Sequence, residues 1–245
     1  MSAISASFLP RAERLHDGLL MDVDAAEWGQ LAILTAGATE PATLALFERL
    51  LRPGDTVLDV GAHVGLHALV AARAIGEAGS IYAFDPQPYN ADRICRNAEL
   101  NGLQNLTVVC AAAGERDGFL RVPFQSLRDR SRLSLAQAGP NDLVTSIEVP
   151  IRRLDTFMRE NDVSGAKLVK IDVEGYELEV IRGLGDRLSA VANLVFEVLE
   201  DVDVERTRRV IDVLTAAGFL LRDVEGNSWS LGQPLPEKNV WAALR

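Results

Sequence analysis

From residue 56 to residue 244 short apolar runs alternate with stretches of strong helix formers, and that rhythm restricts what the chain can fold into. Residues 56–62 form an apolar run after the turn residues Pro53, Gly54 and Asp55, and predict a buried strand. A helix is predicted over 65–75, stopped by Gly76. A strand over 80–85 and a helix over 88–101 closed by Gly102 come next, then a third strand over 106–113 rich in Thr and Val. A fourth strand over 167–173 leads to a helix over 176–184, and a fifth over 194–199 to a helix over 204–217. Residues 219–224 and 240–244 read as two closing strands without a helix between them. The pattern predicts an α/β domain with a mostly parallel sheet covered on both faces, and an antiparallel edge at its C-terminal end.

Two segments fall outside the rhythm. Residues 1–51 read as a helical lead-in whose last helix lies near 42–51, leaving 52–245 as the main domain. Residues 115–165 read as an inserted flap on the substrate side, with strand-like runs at 119–124 and 147–151 around a polar, Arg-rich centre. At 245 residues and 48% hydrophobic, the chain has material for one sizeable core. The 35 acidic and 25 basic residues give a net charge of −10, which disfavours nucleic acid or an anionic membrane as partner. No stretch approaches the roughly 20 apolar residues of a spanning helix. Residues 1–10 show no signal peptide. Two cysteines, Cys95 and Cys110, within regular elements suggest small buried thiols in a reducing cytoplasm. The oligomeric state is left open, a homodimer included.

The first strand ends in Asp59-Val60-Gly61-Ala62-His63-Val64-Gly65. Ligands of parallel sheets sit beyond the carboxyl ends of strands where chain order reverses. Gly61 permits close backbone approach, and Gly65 lets the following helix start near the sheet. Such a turn serves nicotinamide, flavin and S-adenosylmethionine enzymes alike. Asp59 suits a cofactor carrying an ammonium better than one carrying a pyrophosphate, and His63 stands where a dinucleotide site has its second glycine. The second strand ends in Ala83-Phe84-Asp85-Pro86, placing an acid that can accept both ribose hydroxyls. The competing readings are a helix-capping Asp59 and a turn-forming Asp85. Small residues at Cys110-Ala111-Ala112-Ala113 leave room for a flat ring or allow tight strand packing.

Asp172 and Glu174 close the fourth strand and share a face while it stays regular. Asp172 is read as cofactor-positioning or base, and Glu174 as base or substrate-orienting, with capping of the next helix as the alternative for Glu174. His63 is a further base candidate, whereas His67 reads as a packed or capping histidine. Glu197 reads as a buried partner for Arg or Lys. No third ligand joins the two carboxylates, so no metal is predicted. Arg128, Arg130 and Arg132 are read as an anion contact or, more simply, a solvated face. Trp28, Trp229 and Trp241 are read as packing residues.

Together, Asp59 to Gly65, Ala83 to Pro86 and Lys170-Ile171-Asp172-Val173-Glu174-Gly175 resemble the FkbM-type methyltransferases. Gly37-Ala38-Thr39-Glu40-Pro41, Asn101-Gly102 and Asn239-Val240-Trp241 fit as well, so the resemblance runs from about residue 37 to the end. It implies a single Rossmann-like class I domain that uses S-adenosylmethionine, usually for O-methylation of a natural product, sugar or related small molecule. Carried over by position, Asp59, Gly61, Ala62, His63 and Gly65 contact the methionine part, with Asp172 near it. Asp85 and Pro86 lie at the ribose, Ala111 or Ala112 borders adenine, and Glu40 covers the cofactor from the N-terminal side. The chain departs from the family in carrying His63 for the usual Asn and Asp85 for the usual Glu. The rival readings are a carboxyl or N-methyltransferase, a nicotinamide-dependent oxidoreductase, for which no Tyr-x-x-x-Lys pair is present, and a non-catalytic cofactor-binding subunit.

Overall fold

The computed structural model describes residues 11–14, 18–24, 30, 33, 39–123, 146–198 and 203–245. Its centre is a seven-stranded sheet built from β3 (Thr56–Val60), β4 (Ser80–Phe84), β5 (Leu106–Val109), β9 (Leu168–Ile171), β10 (Asn193–Glu197), β11 (Phe219–Asp223) and β12 (Asn239–Leu244). The spatial order is β11-β12-β10-β9-β3-β4-β5. Pairing is parallel throughout except at β12, which runs antiparallel to both neighbours. The expected antiparallel edge is therefore present, with the last strand inserted between β10 and β11 rather than added outside them.

Both faces of the sheet are apolar, as helices on both sides require. Val57 and Leu168 belong to the core beneath α1 (Pro41–Leu50), α2 (Leu66–Ile75) and α3 (Pro88–Leu100). Leu58, Val60, Val169 and Ile171 point the other way, into a core with α4 (Leu154–Glu160), α5 (Glu177–Gly183) and α6 (Val204–Ala216). Each of these strand residues is at most 1% exposed and contributes about 1.5–3 kcal/mol on burial. The ends of β3 and β9 are thus mounted on the best-packed part of the molecule. From β3 the chain moves outward through β4 and β5, and returns on the other side with β9. The direction reverses between β3 and β9, and the site opens there.

Four expectations need correction. The third strand stops at Val109, where Ala111 N–H turns back onto the Val109 carbonyl at 2.8 Å. The chain then enters a separate small sheet of β6 (Ala112–Gly114), β8 (Ser146–Arg153) and β7 (Gly118–Pro123). The lead-in carries an antiparallel hairpin, β1 (Arg11–Arg14) and β2 (Leu20–Val23), ahead of α1. Asn97 and Asn101 of α3 dock it: their side-chain oxygens accept the Asp22 and Leu20 N–H groups at 2.6 and 2.8 Å. The fourth strand ends at Ile171, so strand alternation does not carry Asp172 and Glu174 to one face. Finally, Cys95 and Cys110 are exposed free thiols, not buried ones. Trp28, Arg128, Arg130 and Arg132 lie outside the described residues.

Candidate functional site

A cavity of about 190 Å³ opens at the carboxyl ends of β3, β4 and β9. Gly61 forms its floor because no other residue fits: φ is +83°, and an added Cβ would lie 1.8 Å from the Asp172 carbonyl oxygen. Gly65 caps α2 at φ +91°, where a Cβ would meet Ile94 of α3 at 3.2 Å. Two non-glycine residues at the rim, His63 and Glu174, hold left-handed φ values of 52° and 51°. Such conformations cost about 1–2 kcal/mol each and concentrate at functional sites.

Asp85 closes one wall. Its Oδ2 accepts the His63 N–H at 3.0 Å, and its Oδ1 accepts the Gln87 N–H at 2.9 Å and the Asn90 amide at 3.1 Å. Burial lifts its carboxyl to about 6 despite these donors. The turn-forming reading of Asp85 is thus realised alongside its place on the cavity wall. Ala111, Ala112 and Ala113 give the cavity a low-relief side, and Asp172, Val173 and Glu174 form the opposite one.

Beneath the floor lies a buried charged cluster on the face covered by α1 and α2. Lys170 Nζ is 3.0 Å from Asp172 Oδ2 and 3.9 Å from Asp59 Oδ1. Burial would lower the lysine, but Asp172, Asp59 and Glu40 together hold it above the usual lysine range. Asp59 is 1% exposed, and neither of its carboxylate oxygens accepts a hydrogen bond among the described residues. Burial pushes its carboxyl up, against the pull of Lys170. Glu40 meets His67 Nε2 at 3.1 Å; burial pushes its carboxyl up, but His67, Lys170 and Asn239 together outweigh that and hold it near 2. His67 also packs on the Phe47 ring, in keeping with its reading as a packed histidine.

Of the residues singled out in the sequence, Gly61, His63, Asp85, Pro86, Ala111, Ala112, Asp172 and Glu174 come together on the cavity. Glu40, Asp59, Ala62 and Gly65 do not line it. Glu40 faces His67, Asp59 lies under the floor, and Ala62 and Gly65 are joined by a 2.8 Å backbone hydrogen bond that shapes the turn. The helix-terminal role weighed for Glu174 falls to Glu177, whose Oε1 accepts the Gly175 N–H at 3.0 Å. Glu197 makes no ion pair among the described residues: burial, with Asp172, Glu174 and Glu177 nearby, raises its carboxyl to about 9, and the charge of Lys238 offsets this only in part. Asn90, Gln87 and Phe84 line the cavity without having been singled out. Their only signal was proximity to Asp85. Among the described residues no cluster fit to hold a metal ion is found, and no helix is long and apolar enough to cross a membrane.

Comparison with known proteins bears on this arrangement directly. The methyltransferase FkbM domain matches residues 59–221, about two thirds of the chain. The chain is similar to hexuronic acid methyltransferase AglP of Haloferax volcanii, at 25% identity over 64% of this chain and 61% of that protein. It is also similar to the 31-O-demethyl-FK506 methyltransferase FkbM of Streptomyces tacrolimicus, at 27% identity over 74% and 75% of the two chains. The chain thus spans about six tenths of the archaeal relative and three quarters of the streptomycete one. Among solved structures, one described as an rRNA methylase from Clostridium thermocellum shares the fold, with a TM-score of 0.53 at 12% identity over 84% of this chain and 95% of that one. The cavity at the strand reversal, walled by carboxylates where a dinucleotide site would present bare helix N–H groups, agrees with the match: the chain belongs to the FkbM methyltransferase family, and its domain is that of an S-adenosylmethionine-dependent methyltransferase.

Proposed function

We propose that the protein methylates a hydroxyl group on a small molecule, a natural product or a sugar. The observation that carries this reading is the distribution of carboxylates around the cavity, with Asp85 on one wall and Asp172 and Glu174 on the other. Acceptor oxygens of that kind suit a donor that presents ribose hydroxyls at one end and an ammonium at the other. We assign Asp85 to the ribose, Ala111 to Ala113 to the adenine, and Asp172 to the ammonium. Bound there, S-adenosylmethionine supplies a methyl group already activated on a positively charged sulfur. The protein's own share is alignment, exclusion of water and removal of the acceptor's proton.

Glu174 takes that proton. It lines the cavity in a left-handed conformation, of the kind that concentrates at functional sites. Asp172, tied to Lys170, is left to hold charge rather than move protons. A carboxylate acceptor would meet Asp172 and Glu174 on the cavity wall and be repelled, which favours a neutral hydroxyl. A net charge of −10 supports a small molecule over RNA. Segment 115–165 belongs to the acceptor side, because β6 leaves the cavity wall at Ala112 to found the small sheet. Two exposed free thiols support a reducing cytoplasm as the working compartment.

Incubation with labelled S-adenosylmethionine and a panel of sugars, polyketides, peptides and hydroxy acids tests the reading. Label is expected in an ether; label in an ester or amine would replace the hydroxyl assignment. In the same assay Glu174→Gln should bind S-adenosylhomocysteine normally and turn over about 10²–10⁴-fold more slowly. Turnover at the original rate would shift the role of base to His63.

The raised carboxyl of Asp85 predicts a pH dependence. Its folded value of about 6 lies above the 3.8 of an unfolded aspartate, so the folded state keeps a proton that the unfolded state has lost. The stability that Asp85 contributes to the unliganded protein is therefore lost as pH rises from about 4 to about 6, by at most about 3 kcal/mol, and that contribution does not change above it. The ionised carboxylate is the form that accepts two hydroxyls. Affinity for S-adenosylhomocysteine should accordingly tighten about tenfold between pH 5 and pH 7, and Asp85→Asn should abolish the trend. A calorimetric titration series at four pH values reads both.

A further inference from the structure

Lys170 is 2% exposed and its ammonium has no route to water. A buried cation costs several kcal/mol unless its partners are close, and an apolar side chain at such a place usually serves stability as well or better. Its neighbours follow from strand geometry. Lys170 sits opposite Asp59 in the β3–β9 register, and Asp172 follows two residues later at the strand end. Asp172 Oδ2 is 3.0 Å from Nζ, and the Asp172 side chain is 27% exposed and lines the cavity. The groups facing Lys170 are Asp59 on β3, Asp172 after β9 and Glu40 ahead of α1, the last paired with His67 of α2. Its register partner on β10 is the apolar Val195. Among the described residues three carboxyl groups thus face this one ammonium, and of the three only Asp172 lines the cavity.

We propose that Lys170 is the positioning residue of the donor site: its buried ammonium bridges Asp59 and Asp172 and fixes the Asp172 carboxylate on the cavity wall, where it is presented to the ammonium of the donor. This rests on the assignment of Asp172 to the donor's ammonium. Lys170 touches neither donor nor acceptor and acts through Asp172. Without it, two adjacent carboxyls remain in a buried setting, and one takes up a proton to relieve the repulsion. Proton uptake replaces the fixed anion with a neutral acid, and the grip on the donor weakens.

The test uses the full chain carrying Lys170→Met, a change that retains bulk and removes charge, with and without Asp59→Asn. Melting temperature is followed from pH 6 to pH 9, and S-adenosylhomocysteine affinity is measured by titration at pH 8. The lysine's raised value means its own stabilisation is complete below the ordinary lysine range, so any fall in wild type over this span comes from other groups, Glu197 near 9 among them, and wild type is the baseline. Lys170→Met should fall increasingly below that baseline as pH rises, because the carboxyls around it then ionise without a cation. It should bind S-adenosylhomocysteine at least tenfold more weakly. Adding Asp59→Asn removes one of the uncompensated carboxyls, and should restore the wild-type profile and most of the affinity. A Lys170→Met protein with the wild-type profile and wild-type affinity overturns the proposal. So does one destabilised equally at every pH and not rescued by Asp59→Asn, which is the mark of lost packing alone. A wild-type protein that binds no S-adenosylhomocysteine would overturn the donor assignment, while the melting profiles would still decide whether Lys170 keeps the carboxyls ionised.

Discussion

Gly61→Ala should abolish donor binding and leave little folded protein, whereas Gly54→Ala, at nearly the same backbone φ, should be tolerated. The two glycines have φ of +83° and +89°. A side chain at either pays the left-handed penalty of about 1–2 kcal/mol. Their surroundings differ completely. A Cβ at Gly54 meets nothing within 4 Å, but one at Gly61 overlaps the Asp172 carbonyl at 1.8 Å. Relief requires β3 and β9 to part where Asp172 N–H donates to the Val60 carbonyl at 2.9 Å. Against a total stability of about 5–15 kcal/mol, such a separation is ruinous. Chemical denaturation of both variants makes the comparison. A Gly61→Ala protein as stable as Gly54→Ala would show that the strands do not approach as described.

The second large effect concerns the opposite wall. Asp172→Asn should weaken S-adenosylhomocysteine binding by about 100-fold while leaving adenosine binding unchanged. Truncating one partner of a buried charge pair costs about 2–5 kcal/mol, much of it from the charge left unpaired. Here the substitution removes the anion offered to the ligand and leaves Lys170 with Asp59 at 3.9 Å as its nearest remaining carboxylate. Adenosine has no ammonium, so it separates the two ends of the cavity. Equal weakening of both ligands in calorimetry would mean that Asp172 shapes the whole pocket rather than one end of it.

How far the sequence foretold this molecule depends on whether a feature is local. The strands at 56–60 and 80–84, and helices bounded by Gly76 and Gly102, were legible because apolar runs and stop residues act within a few positions. Residues 106–113 were misread as one strand because composition says nothing of partners: Leu106 to Val109 pairs with β4, and Ala112 and Ala113 pair with β8. Cys95 lies in α3 as expected but on its exposed side, whereas Cys110 falls past the end of β5, outside any regular element, and is exposed as well. The hairpin at 11–23 depends on Asn97 and Asn101, more than 70 residues away, so no nearby pattern announced it.

At the site, the acids at strand ends could be named in advance because that is where a parallel sheet collects its ligands. What the sequence left open was depth. Asp59 and Glu40 were expected at the ligand; neither lines the cavity, and they engage Lys170 and His67 instead. The lysine stood in the quoted motif without a role, although a charged residue inside Leu168-Val169-Lys170-Ile171 is a signal in itself. Asn90 was passed over because an asparagine in a helix's first turn is ordinary; only its 3.1 Å hydrogen bond to Asp85 gives it significance.

The most direct measurement is a crystal structure of the protein with S-adenosylhomocysteine. It should show the ribose hydroxyls on Asp85, the adenine against Ala111 to Ala113 and the amino group on Asp172. A ligand bound elsewhere, or lying in the cavity with its amino group away from Asp172, would contradict the account.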